Sequence, residues 1–214
     1  MGTRAVIFDM DGVLVDSNAH HRGAWRALLD ELGVTPAQPE YWRLTIGRPS
    51  TEAVPLLLGR VVDIAEAHRL ADRKLEHYRR LSRHGLPAVR GVSAFLDELA
   101  AQSVPCAVAT SATRVDTDLL LNRLGLLERF AAVATAEDVR RGKPDPEVYL
   151  LAARAIRIEP SDCLVFEDAI VGVQAARRAG MRVIGVTTAH SETELRAAGV
   201  ERVVADFEGV TWPA

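Results

Sequence analysis

The sequence contains little cysteine and no long apolar run, and each absence narrows the class of protein. Its two cysteines, Cys106 and Cys163, both lie inside apolar segments. This placement excludes a disulfide framework and favours small buried side chains in a reducing compartment. No apolar stretch approaches the roughly 20 residues that span a bilayer, and the chain opens on the strand-like segment AVIFD rather than on a signal peptide. We therefore expect a cytoplasmic protein with no membrane partner.

An excess of charge of either sign is also missing. The 26 Lys and Arg residues oppose 29 Asp and Glu residues, and the net charge of −3 provides no general attraction to nucleic acid. Hydrophobic residues make up 48% of the 214 positions, which excludes a disordered chain and is enough to bury a substantial core. A monomer is the default expectation.

Short apolar runs alternate with amphipathic stretches along most of the chain. Each run is apolar on consecutive residues, as is typical of a strand that is buried on both faces. The predicted strands are Ala5–Phe8, Cys106–Ala109, Ala131–Ala134, Cys163–Phe166, Arg182–Val186 and Arg202–Val204. The helical patterns between them include Val92–Ala101, Asp116–Leu124, Glu147–Ile156 and Val171–Ala179. This alternation predicts right-handed crossovers and an α/β fold with a doubly wound parallel sheet.

Residues 17–86 break the alternation, because no buried-strand run occurs among them. The pattern predicts helices over Asn18–Leu32 and Asp63–His84, each followed by a glycine at a plausible helix stop. A proline-containing loop over Val34–Pro49 and a shorter helix near Thr51–Leu58 lie between them. We therefore predict a helical insert at 17–86 and a discontinuous core made of 1–16 and 87–214.

Polar side chains follow four of the predicted strands at the point where each strand ends. In an open α/β sheet, ligands bind beyond the carboxyl ends of the strands, so these side chains are candidates for one site. They are Asp9 and Asp11 after the first strand, Thr110 and Ser111 after the second, Lys143 in the loop after the third, and Glu167 and Asp168 after the fourth. Any one of these groups could be a helix cap or a turn, but capping alone does not readily explain all of them in order.

Four carboxylates against one ammonium repel one another strongly when all are ionised. A hard divalent cation with oxygen ligands is the usual compensation, and the absence of Cys and His from these segments favours Mg²⁺ over Zn²⁺. The hydroxyls of Thr110 and Ser111, together with Lys143, would then bind an anionic, phosphate-like group. Lys143 is one of only two lysines among the 26 cationic residues, which suggests that the loop needs a compact ammonium rather than a guanidinium.

The segment Asp9–Ser17 (DMDGVLVDS) and the groups that follow it resemble the haloacid dehalogenase superfamily of phosphohydrolases. Thr110 matches the second motif, Lys143 in GKPDPEVY the third, and Glu167-Asp168 with Gly172 the fourth. The likeness covers essentially the whole chain and is greatest to the branch of β-phosphoglucomutase and sugar-phosphate phosphatases. It implies a Rossmann-like core with a helical cap inserted after the first motif.

The resemblance implies a catalytic or metal-binding role for several matched residues. Asp9 would be the nucleophile that forms an aspartyl-phosphate. Asp11 would be first the general acid and then the base. Mg²⁺ would be held by Asp9, the backbone carbonyl of Asp11 and Asp168, with Glu167 bound directly or through water.

The resemblance also implies contacts with the substrate. Thr110 and Lys143 would bind the transferring phosphoryl oxygens and stabilise their charge. His21 matches a position where relatives of the mutase branch place a substrate-gating histidine. The remaining candidates for substrate contact are Ser111, Gly47, Arg48, Ser50 and Arg114, the last of which could instead cap its helix.

The specificity loop of the predicted cap departs from the mutase pattern. Mutases carry Lys-Gly-x-Ser-Arg there, whereas this chain has Ile46 before Gly47 and Ser50 where the arginine is expected. The departure favours a Mg²⁺-dependent phosphatase of a small phosphorylated metabolite, such as a sugar phosphate. A β-phosphoglucomutase-type isomerase is the alternative, because Arg48 could partly substitute for the missing cation.

Three further functions fit the residues less well than a phosphatase or a mutase does. A 2-haloacid dehalogenase needs neither the metal nor Asp11, and a non-catalytic sensor would not need every motif residue. A phosphonate hydrolase would need a Schiff-base lysine in the cap, where Lys74 is the only candidate. We expect Lys74 to be a solvated side chain in the middle of its helix, with His68, His77 and His84 also at the surface.

Overall fold

The computed structural model describes residues 3–36 and 40–213 and contains one six-stranded sheet. Its strands are β1 (Ala5–Phe8), β2 (Cys106–Ala109), β3 (Ala132–Ala134), β4 (Cys163–Glu167), β5 (Arg182–Val186) and β6 (Arg202–Val204). All neighbouring strands run parallel, in the order β3-β2-β1-β4-β5-β6. The order changes direction between β1 and β4, which confirms the predicted doubly wound, Rossmann-like fold and places its topological switch point there.

Eight α-helices lie within the described ranges. They are α1 (Asn18–Glu31), α2 (Ser50–Leu58), α3 (Ile64–Leu81), α4 (Val92–Ala101), α5 (Arg114–Arg123), α6 (Glu147–Ala155), α7 (Ile170–Arg178) and α8 (Glu192–Ala198). The first seven coincide with predicted helices to within three residues at each end. The sequence analysis missed α8, although a capping box, in which Ser191 and Glu194 each accept the other's backbone N–H, marks its start.

Consecutive strand residues are apolar because helices cover both faces of the sheet. On one face Phe8 packs into a layer that contains Phe95 of α4, and on the other Ile7 packs into a layer that contains Ala152 of α6. Both cysteines are buried and unpaired in these layers, as predicted. The alternation of side chains between two apolar layers leaves the strand ends as the natural place for polar groups.

The first three helices form the helical insert (residues 17–86), which contains no strand in the part that the structure describes. They pack around a small apolar core of their own that includes Trp25 and Leu70. The two chain segments that join the insert to the sheet run side by side, and the N–H of Asp16 donates to the carbonyl of Pro87 at 2.9 Å. The division into a core and a cap domain stays a prediction.

The loop predicted over Val34–Pro49 is not wholly irregular. It contains a 3₁₀ turn at Tyr41–Thr45, because Tyr41 is buried against the apolar core of the insert and draws the loop inward. Residues 37–39 of the predicted loop lie outside the described residues.

A cluster of aromatic rings supports the strand ends from below. It consists of Phe8, Phe95, Phe166 and Phe207. Phe8 and Phe166 stack with centroids 5.5 Å apart, and Phe207 lies 5.0 Å from Phe166. Asp9 comes directly after Phe8, and Glu167 comes directly after Phe166. The cluster therefore fixes the points from which both carboxylates project.

Phe207→Ala should therefore destabilise the protein much more than the same change at Phe130. Phe207 is 2% exposed and touches three other rings of the cluster, whereas Phe130 is half-buried and contacts Phe8 alone among the aromatic side chains described. Removal of a buried phenylalanine costs about 3–5 kcal/mol. Urea denaturation should give that loss for Phe207→Ala and a clearly smaller one for Phe130→Ala; equal losses would contradict the role of the cluster.

Candidate active site

The polar side chains that follow the strands converge at one edge of the sheet. Phe8 lies opposite both Val108 and Phe166 in the parallel register, so Asp9 emerges between the ends of β2 and β4. A cavity of about 550 Å³ lies at this edge, between the sheet and the helical insert. The predicted site residues that line it are Asp9, Asp11, His21, Gly47, Arg48, Ser50, Thr110, Ser111, Lys143 and Asp168.

Arg114 was predicted to contact the substrate but does not line the cavity. Its guanidinium pairs with Asp138 at 2.5 Å and donates to the carbonyl of Val133 at 3.0 Å. The protein itself thus engages the guanidinium in this arrangement of the chain, and a contact of Arg114 with substrate stays a prediction. Arg114 ties the start of α5 to β3 and its following turn.

A buried ammonium lies among three carboxylates at the base of the cavity. Lys143 Nζ donates to Asp9 Oδ1 at 2.6 Å and to Glu167 Oε2 at 2.8 Å. Oxygen atoms of Asp9, Glu167 and Asp168 lie within 4.8 Å of one another. Lys143 and Glu167 are completely buried, and Asp9 and Asp168 nearly so.

Two glycines make room for these carboxylates. A Cβ atom on Gly12 would lie 1.9 Å from Asp168 Oδ2, and Gly12 also has a positive φ of 78°. A Cβ atom on Gly172 would lie 1.9 Å from Glu167 Oε2. Any other residue at either position would collide with the acidic cluster, which explains why both motifs contain a glycine.

Asn18 and Thr188 support Asp168 but were not among the predicted site residues. Asn18 Nδ2 and Thr188 Oγ1 each donate to Asp168 Oδ2 at 2.9 Å, and Thr188 Oγ1 also lies 2.6 Å from the carbonyl oxygen of Gly12. The position of Thr188 just beyond β5 was a usable signal, because the fifth strand ends at the same edge of the sheet.

The electrostatics of the cluster fit a divalent cation. Burial and the neighbouring Glu167 raise the pKa of Asp9 from 3.8 to about 8, although Lys143 opposes the shift. Burial and the charge of Glu167 likewise raise the pKa of Asp168 well above its usual range. One ammonium therefore does not compensate three buried carboxylates. An all-oxygen donor set with uncompensated negative charge is what Mg²⁺ prefers.

Asp11 lies in a different environment from Asp9. Its Oδ1 accepts hydrogen bonds from Ser17 Oγ at 2.5 Å and from His21 Nε2 at 2.9 Å. Burial alone would raise the pKa of Asp11, but the contacts with His21 and Ser17 outweigh it and lower the pKa to about 2. Asp11 is therefore ionised at neutral pH in this structure.

Lys74 is not the solvated surface residue that its position within a helix suggested. It is 4% exposed, and its Nζ lies 2.8 Å from His21 Nδ1 and 5.1 Å from the ring centre of Trp25. The helix turns this side chain into the cavity, where the aromatic face and the imidazole replace water. Burial lowers the pKa of Lys74 to about 8, which leaves the ammonium charged at neutral pH.

The Lys74 contact determines which nitrogen of His21 carries the proton. An ammonium has donors only, so Nδ1 of His21 must accept and Nε2 must donate to Asp11. Burial and the charge of Lys74 both lower the pKa of His21, although Asp11 opposes the shift. The ring of Tyr78 stacks on it with centroids 4.1 Å apart. Lys74 and Tyr78 of α3 therefore hold His21 against Asp11.

His77 is the second residue that the sequence analysis placed wrongly at the surface. It is 8% exposed, with Nε2 2.9 Å from the Glu31 carboxylate and Nδ1 2.7 Å from Arg80. These contacts tie α3 to α1 within the insert, so the histidine is structural. His68 and His84 are exposed, as predicted.

Polar contacts join the insert to the sheet around the cavity. They combine one hydrogen bond to a backbone carbonyl with two ion pairs between side chains. The pairs are Ser111–Gly47 at 2.9 Å, Arg79–Asp116 at 2.8 Å and Arg43–Glu194 at 2.5 Å. The insert therefore covers the cavity in this structure.

A model of the family described as haloacid dehalogenase-like hydrolase matches residues 6–186. The chain belongs to this family. It is 37% identical to validoxylamine A 7'-phosphate phosphatase from Streptomyces hygroscopicus subsp. limoneus, over 98% of this chain and 97% of the relative. It is 35% identical to a fructose-1-phosphate phosphatase from Escherichia coli K12, over 85% of this chain and 95% of the relative.

A solved structure supports the fold independently. The β-phosphoglucomutase from Clostridium difficile superposes with a TM-score of 0.87 and covers 98% of this chain and 94% of its own. At 24% identity this likeness concerns the fold alone. Together with the phosphatase relatives, the family confirms the predicted resemblance and the prediction of a phosphoric monoester hydrolase. None of the helices described is long and apolar enough to cross a membrane.

The raised pKa of Asp9 predicts how stability depends on pH in the absence of metal. The native state keeps a proton on Asp9 up to about pH 8, whereas the unfolded chain loses it above about pH 4. This contribution to stability is fully present below about pH 4 and is lost as the pH rises through about 8. In EDTA, the Tm of the wild type should therefore fall between about pH 5 and 8 relative to that of Asp9→Asn, which cannot titrate.

Mg²⁺ supplies the control for this measurement. Its addition near pH 8 should raise the Tm of the wild type more than that of Asp9→Asn, because the ion compensates the ionised carboxylate. In a chain of this size, a change of 1 kcal/mol in the free energy of unfolding shifts the Tm by about 2–4 °C. Differential scanning fluorimetry can resolve such a shift. Parallel pH profiles for the two proteins in EDTA would contradict a buried, proton-binding Asp9.

Proposed function

We propose that this phosphatase-family enzyme is a Mg²⁺-dependent hydrolase of a small phosphorylated metabolite, with a sugar phosphate as the preferred class. The observation that carries the proposal is a pair of carboxylates held in different ways at one cavity. Asp9 lies beside Lys143, and Asp11 lies beside His21. The first arrangement suits attack on phosphorus and the second suits the movement of a proton. Both relatives described above are named as phosphatases.

The reaction would proceed in two steps through Asp9. In the first, a carboxylate oxygen of Asp9 attacks phosphorus, the bond to the leaving oxygen breaks, and Asp11 donates a proton to that oxygen. In the second, Asp11 takes a proton from water, whose oxygen attacks the aspartyl-phosphate and releases inorganic phosphate. Uncatalysed hydrolysis of phosphate monoesters is so slow that enzymes accelerate it by up to ~10²¹-fold, and a covalent route with a positioned acid meets that demand.

The proton state of Asp11 supports this division of roles. With a pKa of about 2, Asp11 is ready to act as the base of the second step. The first step instead needs a proton on the carboxylate of Asp11. A phosphate dianion arriving beside Asp11 would raise its pKa and favour uptake of that proton.

The acidic cluster would hold the metal ion. Asp9, Asp168 and the backbone carbonyl of Asp11 would be ligands, with Glu167 acting directly or through water. When bound, Mg²⁺ would compensate the charge of the carboxylates and of the transferring phosphoryl group.

The transferring phosphoryl group would be bound by Lys143, by Thr110, and by Ser111 once its hydroxyl turns away from the carbonyl of Gly47. The ammonium of Lys143 is already beside Asp9, so it lies next to the point of attack. Thr110 Oγ1 accepts from the N–H of Ala112 at 3.0 Å, which leaves its own hydrogen free to donate. A cation and hydroxyl donors fixed before the reaction stabilise the charge that spreads over the phosphoryl oxygens.

The insert would act as a cap that selects the leaving group. His21, Gly47, Arg48 and Ser50 line the cavity from the insert side and are the proposed contacts. The volume of about 550 Å³ lies within the range of small-molecule sites, about 300–1,000 Å³. Opening and closing of this cap would admit substrate and exclude water.

A phosphosugar mutase is the second candidate. Arg48 provides one cation in the cavity that could bind a second phosphate. Against it, Ile46 and Ser50 occupy the places of the lysine and arginine in the mutase pattern. Retention of the phosphate, rather than its release, would identify this activity.

A phosphate-release screen across sugar phosphates, with β-glucose 1-phosphate included, tests the proposal. We expect Mg²⁺-dependent release of inorganic phosphate that EDTA and Asp9→Asn abolish. Asp16→Asn is a matched control, because Asp16 is an exposed carboxylate that lies within the same motif but outside the cavity. Conversion of the β-1-phosphate to the 6-phosphate without release would favour the mutase. No turnover of any ester would refute the hydrolase.

Lys74→Met should lower kcat by about tenfold or more while the fold is kept. The substitution removes the donor that holds His21 in the tautomer bonded to Asp11, and a misplaced acid–base group loses part of its typical 10²–10⁴-fold contribution. Arg69→Met is the control, since Arg69 is an exposed cation on the same helix. Steady-state kinetics measures the kcat of each variant, and thermal melting shows whether its fold is kept. An unchanged kcat for Lys74→Met would disprove the role of the lysine.

A further inference from the structure

Glu167 differs from the other carboxylates of the cluster in how completely the protein satisfies it. Its Oε2 accepts from Lys143 Nζ at 2.8 Å and from the hydroxyl of Tyr149. Its Oε1 accepts from the backbone N–H groups of Asp168 at 3.1 Å and Ala169 at 2.9 Å. A carboxylate offers about four acceptor positions. Protein donors therefore occupy all those of Glu167.

Asp9 and Asp168 each keep an oxygen atom available. The hydrogen bonds to Asp9 reach Oδ1 only, and those to Asp168 reach Oδ2 only. Within the described residues, Asp9 Oδ2 and Asp168 Oδ1 accept no hydrogen bond. Both residues line the cavity, whereas Glu167 does not. The free acceptor positions of the cluster thus belong to two of its three members.

Tyr149 is the donor that completes the shell of Glu167. It projects from α6, is completely buried, and also places its ring centre 4.9 Å from Lys143 Nζ. The ammonium is therefore held by Asp9, by Glu167 and by the face of the tyrosine ring. A phenylalanine would keep the ring contact but would leave one acceptor position of Glu167 open.

We propose that Tyr149 is a positioning residue, which with the two backbone amides commits Glu167 to anchoring Lys143 instead of coordinating the metal directly. The inference rests on the proposed function, since it assigns Glu167 to the indirect one of its two roles there. A plain packing role for Tyr149 is the competing explanation, because any buried tyrosine needs an acceptor for its hydroxyl. The two explanations differ in whether Tyr149 and Glu167 act as one unit.

Calorimetric titration of the full-length protein with Mg²⁺ alone tests the assignment of Glu167. Loss of a group outside the inner coordination shell typically costs 10–100-fold in affinity. Glu167→Gln should therefore weaken Mg²⁺ binding by about tenfold, and Asp168→Asn should weaken it at least ten times more than that. Equal losses in the two variants would overturn the indirect role.

A double-mutant cycle in kcat tests Tyr149. Tyr149→Phe should lower kcat by about tenfold with KM within about threefold, and in the Glu167→Gln background the same change should alter kcat by less than about twofold. Tyr41→Phe, which removes a hydroxyl from the core of the insert, is the matched control and should change kcat in neither background. Additive effects of Tyr149→Phe and Glu167→Gln would indicate packing and overturn the proposal.

The design separates failure of this inference from failure of the proposed function. A wild-type protein that neither binds Mg²⁺ nor releases phosphate would refute both. An active wild type with an additive cycle would refute the inference alone. Thermal melting shows whether Glu167→Gln folds. If it does not, the kcat of Tyr149→Phe alone tests the inference. A kcat within twofold of the wild type would then overturn the role of the hydroxyl.

Discussion

The ion cluster around the Lys143 ammonium is the interaction on which the rest of the site depends. Two carboxylates, Asp9 and Glu167, lie within 2.8 Å of an ammonium from which water is excluded. Such an arrangement is costly to desolvate and becomes strongly destabilising if one member is removed. Further donors saturate Glu167, whereas ionisation of Asp9 and Asp168 would add negative charge that the protein does not compensate. This imbalance burdens the metal-free fold and would favour the binding of a divalent cation.

The fold brings these charges together through backbone geometry rather than through local sequence. Parallel pairing of β1 with β4 places Asp9 beside Glu167, although 158 positions separate them. Stacking of Phe8 on Phe166 beneath them fixes the register, because a slip of either strand would separate the rings as well as the carboxylates. Packing of the apolar core and placement of the charges are therefore one constraint.

The sequence predicted the features that repeat or that stand in motifs. Consecutive apolar residues revealed every strand, and the polar residues at strand ends revealed the cluster from Asp9 to Asp168. It could not predict which way a helical side chain turns when the partner lies far along the chain. Lys74 has the sequence surroundings of a solvated residue, and only the packing of α3 against α1 brings it to His21. Thr188 differs, because it stands in no recognised motif and only its position just beyond the fifth strand marks it.

The two aspartates of the first motif depend on different parts of the molecule. Asp9 is controlled by the sheet, through Lys143. Asp11 is controlled by the insert, because His21 comes from α1 and its tautomer is set by Lys74 of α3. A movement of the insert that withdrew His21 would take away hydrogen bonding that holds the pKa of Asp11 low, while the contacts of Asp9 would stay. Any movement of the insert over the cavity would therefore change the hydrogen bonding of Asp11 as well as the enclosure of the substrate.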